Sequence, residues 1–346
     1  MTDETIRIGF VGAGANTVLR HIPGFQAMDG VVLESVANRS RASGQRISDS
    51  HGIPTVYDTW VELIDADDTN AICIGTWPYM HCALVLAALD AGKHVITEAR
   101  MCMNAEEAHI MLDASRQRPE LVSQIVPAPH TLKVDRTIKD LIESGYLGEI
   151  LSIDLTVHQG DFIERDGPFH WRHNRDYSGF NIMQMGIWYE AMMRWVGPAE
   201  TVSAIGRVTV KSRRDDDGNN RFITIPDHIE VLCEMVSGPV VRMRFSTVTG
   251  LAPADGVWIF GTEGTLHLSS ANMELYGGRR GDGQLSEIDI PADKQGAWRV
   301  EEEFINAIRG TEPVTHTSFE DGVRYMEFME AVTRSSQAGQ KIYLPL

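Results

Sequence analysis

Short apolar runs recur along the first third of the chain, and stretches of helical length separate them. The runs are typical of buried strands, and the stretches between them, such as residues 82–91, have the length and apolar content of helices. Asn104, followed by Glu107 three residues later, is a capping signal for a helix that ends near residue 118. Because strands and helices alternate, the sequence predicts an α/β fold with a doubly wound parallel sheet. The predicted strands are residues 6–11, 31–37, 71–75, 94–98 and 121–126.

The pattern changes after residue 126, where a Pro-Ala-Pro segment indicates a domain boundary. Later segments mostly alternate apolar and polar positions with period two, which is typical of antiparallel strands with one solvated face. We therefore predict two domains, residues 1–126 and 127–346, the second an α+β domain with a mostly antiparallel sheet. Residues 213–220 are charged and are expected to form a solvated hairpin connection. The predicted strands are residues 150–157, 202–210, 228–235, 240–248 and 258–268, and the predicted helices are residues 133–144, 181–196, 301–308 and 320–336.

Composition narrows the classes of partner. A chain of 346 residues is too long for one ordinary hydrophobic core, which supports two domains. The formal net charge of −17 disfavours nucleic acid and anionic membranes as partners. The four cysteines form no pair or Cys/His cluster with metal-ligand spacing, so we expect neither disulfides nor a bound metal. The sequence shows no signal peptide and no apolar run long enough to span a membrane, which favours a cytoplasmic protein.

A glycine-rich turn follows the first predicted strand and precedes a helix. Its sequence is Gly12-Ala13-Gly14-Ala15-Asn16-Thr17. The first glycine permits a tight strand-to-helix turn, and the second lets the backbone approach a pyrophosphate at the helix N-terminus. Thr17 stands where such loops usually have a third glycine. The context predicts a dinucleotide-binding loop.

The end of the second predicted strand bears on the choice of dinucleotide. An acidic residue there would bind the ribose 2′-hydroxyl of NAD, but this chain has Asn38-Arg39-Ser40. A guanidinium and a hydroxyl suit a 2′-phosphate, so we predict that NADP is preferred to NAD. The alternative is that Arg39 stacks on adenine and both cofactors are accepted.

Four further motifs complete a family resemblance that covers nearly the whole chain. They are Thr76-Trp77-Pro78-Tyr79-Met80-His81, Ala91-Gly92-Lys93-His94-Val95, Gly145-Tyr146-Leu147-Gly148-Glu149-Ile150 and Gly261-Thr262-Glu263-Gly264-Thr265-Leu266. With the glycine loop, they make the sequence resemble the Gfo/Idh/MocA oxidoreductases.

The resemblance implies a Rossmann domain, an α+β domain with a large open sheet, and hydride transfer on sugars, cyclitols or related substrates. It also implies a homodimer or homotetramer formed through the open sheet. Further cofactor contacts are expected at Thr76, Trp77, His81, Glu98 and Arg100.

The catalytic positions depart from the family pattern. The family has Glu-Lys-Pro where this chain has Glu98-Ala99-Arg100, and Gln184 and Trp188 replace its usual aspartate and histidine. Glutamine and tryptophan cannot exchange a proton near neutral pH, whereas Arg100 can stabilise a developing alkoxide. The expected catalytic residues are Arg100, Gln184, Trp188, Tyr189 and His173, with a His or Tyr between residues 158 and 189 exchanging the proton.

A segment rich in His, Arg, Trp and Tyr between residues 161 and 179 suits a polar ligand. We expect His158, Trp171, Arg172 and Tyr177 to bind substrate. The leading hypothesis is an NADP-dependent oxidoreductase acting on a sugar-like or cyclic hydroxy/keto substrate. Two alternatives stay open: a glycosidase-like enzyme that recycles its bound cofactor, and a non-catalytic protein that binds or senses the cofactor.

Overall fold

A computed structural model of the chain describes residues 5–158 and 162–346. Residue 161, which opens the segment rich in His, Arg, Trp and Tyr, lies outside the described residues. The strands are β1 (Ile6–Val11), β2 (Val31–Ala37), β3 (Thr55–Tyr57), β4 (Ala71–Ile74), β5 (His94–Thr97), β6 (Ser123–Ile125), β7 (Ile150–His158), β8 (Ala199–Arg207), β9 (Ser212–Arg214), β10 (Asn220–Phe222), β11 (His228–Met235), β12 (Val240–Ser246), β13 (Gly256–Gly261), β14 (Gly264–Ser269), β15 (Glu274–Arg279), β16 (Ser286–Ile288) and β17 (Ile342–Tyr343). The α-helices are α1 (Ile22–Gln26), α2 (Arg41–His51), α3 (Trp60–Asp65), α4 (Pro78–Asp90), α5 (Ala105–Gln117), α6 (Leu132–Glu143), α7 (Arg175–Ser178), α8 (Met185–Val196), α9 (Val300–Ile308) and α10 (Phe319–Ala338).

The first unit contains a parallel six-stranded sheet in the order β3-β2-β1-β4-β5-β6. The strands at its centre, such as β4, are buried on both faces, which explains their continuous apolar sequence. The predicted capping signal is present, because the Asn104 side chain accepts the Glu107 N–H at 2.8 Å. The predicted doubly wound parallel sheet is therefore confirmed. β3 was not predicted, because three half-buried residues show no clear period.

The predicted domain limits need correction. The first unit comprises the chain up to Pro127 together with Arg299–Val323, and the second comprises Ala128–Trp298 and Arg324–Leu346. The returning segment joins the first unit by exchanging backbone hydrogen bonds between Ile125 and Thr317, both at 3.0 Å. The boundary predicted at 126/127 lies one residue from a true crossing, but the segment that returns had no signal in the local pattern.

The second unit contains a nine-stranded sheet in the order β16-β15-β14-β13-β7-β12-β11-β8-β17. Its pairs are antiparallel except β7 with β12, so the sheet is mixed and mostly antiparallel, as predicted. Alternation in β7 buries Ile153, Leu155 and Val157 on one face. The run at 258–268 proves to be two strands, β13 and β14, joined at Thr262-Glu263, and the charged hairpin is β9–β10.

Candidate active site

The glycine loop joins β1 to a helix, as the sequence predicted. Gly12 has a φ of +81°, and its N–H donates to the Ala37 carbonyl at 2.9 Å. A Cβ at Gly12 would lie 2.9 Å from the Thr76 backbone nitrogen, so only glycine fits there. The first N–H groups of the helix that follows have no intrahelical acceptor, which leaves donors for a pyrophosphate.

Thr17 lies beneath this loop and not on its surface. Its side chain is 1% exposed, and its hydroxyl donates to the Gly12 carbonyl at 3.5 Å. A Cβ at Gly75 would collide with the Thr17 hydroxyl and the Gly12 carbonyl, so Gly75 makes room for the threonine. The Thr17 side chain is therefore a packing group beneath the loop, and the predicted cofactor contact of Thr17 stays a prediction for its backbone N–H alone.

The segment after β2 is arranged by three hydrogen bonds. Asn38 accepts the Ala13 N–H at 2.7 Å, which ties the end of β2 to the glycine loop. Ser40 caps α2 by accepting the Ser43 N–H at 3.3 Å, and Arg41 pairs with Asp58 at 2.9 Å. Arg39 is exposed and pairs with no carboxylate among residues 5–158 and 162–346. A free guanidinium thus stands next to the N-terminus of an eleven-residue helix.

His81 does not face a ligand. It is fully buried, with Nε2 3.0 Å from the Thr76 carbonyl and Nδ1 3.0 Å from the Arg100 carbonyl. The predicted cofactor contact at His81 is therefore wrong, because both ring nitrogens are used within the protein. Its role is to hold the turn at Thr76 and Trp77 next to Arg100, whose side chain is also buried.

Glu98 follows β5 and joins the glycine loop to two residues that sequence reasoning missed. One of its oxygens accepts from the Asn16 amide and lies 3.1 Å from His21 Nε2. The other nitrogen of His21, Nδ1, lies 2.5 Å from Glu301 in α9. Burial opposes ionisation of Glu98, but the hydrogen bonds from His21 and Asn16 outweigh it and lower its pKa.

Known proteins match both units. Residues 6–125 match the oxidoreductase family with an NAD-binding Rossmann fold, and residues 136–267 match the GFO/IDH/MocA C-terminal domain. The chain belongs to the GFO/IDH/MocA family of oxidoreductases. The predicted family, its enzymatic class and its use of a nicotinamide dinucleotide are confirmed by these matches.

Relatives of this GFO/IDH/MocA protein include sugar enzymes. The chain is 26% identical over 342 residues to dTDP-3,4-didehydro-2,6-dideoxy-alpha-D-glucose 3-reductase of Streptomyces antibioticus, covering 96% of this chain and 97% of that one. It is 24% identical over 261 residues to levoglucosan dehydrogenase of Pseudarthrobacter phenanthrenivorans, covering 71% and 65%.

Solved structures of similar fold include an oxidoreductase domain protein from Kribbella flavida, with a TM-score of 0.85, 19% identity and coverage of 99% and 100%. Levoglucosan dehydrogenase in complex with NADH and L-sorbose has a TM-score of 0.84 at 21% identity, with coverage of 98% and 99%. These likenesses extend the confirmed fold over both units.

Helix α8 carries the positions where the GFO/IDH/MocA pattern was expected to change. The helix starts at Met185, whereas the sequence predicted a start at residue 181. Gln184 immediately precedes its first turn and is half-buried. Trp188 is 3% exposed, and its indole N–H has no hydrogen-bond partner in the described parts of the chain. The ring lies 6.1 Å from that of His130. The indole N–H of Trp188 can therefore donate a hydrogen bond, but it cannot give up or accept a proton near neutral pH.

Tyr189 is excluded as a proton donor. Its ring is fully buried and stacks on Phe328 at 3.6 Å, and its hydroxyl accepts the Ala199 N–H at 2.9 Å. Burial raises the pKa of the phenol far above its usual value. The prediction of a catalytic Tyr189 is wrong because α8 turns this side chain into the core of the second unit.

The predicted substrate loop has an ordered structure of its own. His173 Nδ1 accepts the His170 N–H at 3.0 Å, and the Arg172 guanidinium lies 4.2 Å from the Trp171 ring centroid. Burial, with the nearby charge of Arg213, lowers the pKa of His173 to about 4. At neutral pH it is an uncharged and weak base, which argues against the predicted catalytic role. Tyr177 is 37% exposed.

His158 is the histidine of this region with a carboxylate partner. It ends β7, and its Nδ1 lies 2.9 Å from Asp255, whose same oxygen accepts the His158 N–H at 2.7 Å. The imidazole is 8% exposed. An aspartate on Nδ1 holds the proton there and leaves Nε2 as the lone-pair nitrogen. Asp255 was missed because it lies 97 residues from His158 in the sequence.

No helix among the described residues combines the length and apolar character needed to cross a membrane. Over the same residues, no three His, Cys, Asp or Glu side chains are grouped so as to hold a metal ion.

Proposed function

We propose that this chain is an oxidoreductase that prefers NADP and transfers a hydride to or from a sugar-like or cyclic hydroxy/keto substrate. The observation that carries the cofactor choice is the free Arg39 beside Ser40 and the N-terminus of α2. The substrate class is supported by the relatives that act on a dTDP-linked sugar and on levoglucosan.

The end of β2 offers a 2′-phosphate a cation and a helix N-terminus, and both favour negative charge. The position that binds a ribose hydroxyl in NAD enzymes is Asn38, whose oxygen is already used by Ala13. No carboxylate side chain follows β2 before Asp49 to repel the phosphate. These features support NADP over NAD.

The bound dinucleotide supplies or accepts the hydride. We propose that Arg100 and Gln184 orient the substrate oxygen, because a guanidinium and an amide both donate hydrogen bonds and neither needs to lose a proton. The indole N–H of Trp188 is a third donor, while Trp171, Arg172 and Tyr177 are proposed to contact the substrate. In the oxidation direction, the hydroxyl proton passes to Nε2 of His158, whose imidazolium Asp255 stabilises.

Dissociation constants for NADPH and NADH, measured by fluorescence, test the cofactor choice. Removing a charged hydrogen bond costs about 1.5–3 kcal/mol, so Arg39→Ala should weaken NADPH about 10- to 100-fold and leave NADH within about threefold. Arg41→Ala is the matched control, because Arg41 is engaged with Asp58. Tighter binding of NADH than NADPH by the unaltered protein would refute the preference.

The reaction is tested by following absorbance at 340 nm, the reduced-nicotinamide band, across a panel of sugars, anhydrosugars, nucleotide sugars and cyclic diols. Turnover of at least one of them is expected. A protein that binds the dinucleotide but oxidises or reduces no member of the panel would contradict the proposed reaction.

A further inference from the structure

A buried row of three ionisable side chains lies beneath the glycine loop. His21 sits in a π-helical turn (Thr17–His21), fully buried, with Glu98 at 3.1 Å on one nitrogen and Glu301 at 2.5 Å on the other. We call Glu98, His21 and Glu301 the buried triad. A ring nitrogen that faces a carboxylate oxygen at hydrogen-bond distance must carry a hydrogen, so both nitrogens of His21 are protonated. The imidazole is therefore a cation.

Three distant parts of the sequence meet to build the triad. Glu98 follows β5, His21 precedes α1, and Glu301 lies in the first turn of α9 at 3% exposure. Gly24 in α1 leaves the space for Glu301, because a Cβ there would lie 2.8 Å from Glu301 Cγ and 2.9 Å from one carboxylate oxygen. Any larger residue at position 24 would therefore displace the Glu301 side chain.

The triad reaches the dinucleotide site through Glu98. One Glu98 oxygen accepts from the Asn16 amide in the glycine loop, and the other accepts the Ala99 N–H at 3.2 Å. Asn16 precedes the π-helical turn but gives that turn no side-chain cap. Its amide is instead held by an ionised carboxylate, and this carboxylate depends on His21 for its counter-charge.

We propose that His21 and Glu301 are positioning residues of the dinucleotide site: they keep Glu98 ionised, fix Asn16, and make dinucleotide affinity depend on the proton that His21 carries. The proposal requires that the glycine loop binds a dinucleotide, and it requires neither the NADP preference nor a sugar substrate. With His21 charged, the triad has one net negative charge. Loss of the His21 proton makes it two, beneath a loop that must hold an anionic pyrophosphate.

Among the described residues, two carboxylates raise the pKa of His21. Burial lowers the His21 pKa, but the hydrogen bonds and charges of Glu301 and Glu98 outweigh it and raise the pKa to about 9. Glu98 and Glu301 also act on the Cys73 thiol of β4, whose pKa burial and both carboxylates raise well above its usual value. Cys73 therefore stays neutral while His21 titrates.

The test is the dissociation constant of NADH from pH 6 to 10. NADH is the probe because, unlike NADPH, it lacks the 2′-phosphate that ionises near pH 6. The unaltered protein should bind with constant affinity up to about pH 8 and at least fivefold more weakly at pH 10. Glu301→Gln preserves the shape of the side chain and should move this loss of affinity at least one pH unit lower.

Two further variants separate positioning from general damage. His21→Gln should weaken the binding of NADH about tenfold at every pH and abolish the further loss of affinity at alkaline pH. In steady-state kinetics the change should appear in KM for NADH, while kcat stays within about twofold of that of the unaltered protein. Glu302→Gln is the control, because Glu302 is half-exposed and pairs with Arg299. It should behave as the unaltered protein does.

The proposal is overturned if Glu301→Gln, folded by circular dichroism, gives a pH curve that superimposes on that of the unaltered protein. It is equally overturned if the unaltered protein binds NADH with the same affinity at pH 8 and pH 10, a measurement that needs no variant to fold. Because neither experiment uses a substrate, failure of the proposed reaction is seen separately in the turnover panel.

Discussion

At the scale of single residues, the proposed proton route depends on one histidine. His158 has a carboxylate on Nδ1, whereas Nδ1 of His173 is used by a backbone N–H and Tyr189 is sealed in the core. A histidine held by an aspartate is the arrangement that keeps Nε2 ready to accept a proton.

His158→Asn should therefore lower kcat about 100-fold or more, because general acid–base catalysis contributes about 10²- to 10⁴-fold. Cofactor affinity should stay within about twofold. Asp255→Asn should have a smaller effect on kcat, since the imidazolium loses its counter-charge while Nε2 is still present. Steady-state kinetics from pH 5 to 9 measure both.

His109→Asn, an equivalent change at an exposed position of α5, serves as the control. A larger loss of kcat in His173→Asn than in His158→Asn would transfer the role to His173. An Asp255→Asn enzyme with an unaltered kcat would leave Asp255 only a structural role.

The site residues that could be predicted from the sequence interact with near neighbours in the chain, whereas those that could not be predicted interact with distant ones. The glycine loop is local, since its conformational demand falls on Gly12 and its neighbours, and the sequence therefore predicted it. Asp255 and Glu301 act on histidines 97 and 280 residues away, and no local pattern carries that pairing. The packing of Thr17 against Gly75 was missed because the two residues come together only once β1 and β4 lie side by side.

At the scale of elements, the buried triad also joins α9 to the sheet of the first unit. The pKa of His21 rises from 6.5 to about 9 on folding, so the folded protein holds a proton that the unfolded chain releases between those values. The stabilisation is complete below pH 6.5 and is lost as pH rises through 9. A shift of this size corresponds to about 3 kcal/mol.

We therefore expect the free energy of unfolding, measured by urea denaturation, to fall by about 3 kcal/mol from pH 6.5 to pH 9.5. Glu301→Gln should be less stable at pH 6.5 and show a smaller fall, whereas Glu302→Gln should keep the full slope. Equal slopes in Glu301→Gln and the unaltered protein would mean that His21 is not the group responsible.

Strand limits were predicted correctly where a strand-like run was clearly bounded at both ends. β1, β2 and β11 have the limits that the sequence predicted. β3 and β16 were missed because three residues at a sheet edge bury too little to show a period. The run 258–268 was predicted as one strand, but it contains a turn at Thr262 and Glu263. Apolar residues on both sides of this short turn made the two strands look continuous.

At the scale of the whole molecule, the nine-stranded sheet exposes side chains of several described strands on one face. Strand register places Leu232, Arg242, Asp154 and Trp258 in one row across that face. Leu232 is 52% exposed and Ile205, on the next row, is 71% exposed. We propose that a second copy of the chain covers this face, giving a homodimer or a homotetramer.

Leu232→Arg should then shift the protein towards the monomer in size-exclusion chromatography with light scattering. The new cation would lie opposite Arg242, where like charges repel, inside an interface that excludes water. Val61→Arg, at an exposed position of α3, is the control. An unaltered protein that is monomeric at about 100 µM, well above the Kd of about 1 µM expected of a specific interface, would refute the proposal.

The returning segment Arg299–Val323 has a consequence for biosynthesis. Gln124, in the edge strand β6 of the first sheet, is fully buried and donates to the His316 carbonyl at 2.9 Å. When the ribosome has just made residues 1–127, the sheet of the first unit therefore has an exposed edge, and the Gln124 amide lacks its acceptor. Nearly two hundred more residues must emerge before that edge is covered, so the first unit cannot complete its folding until most of the second has been made.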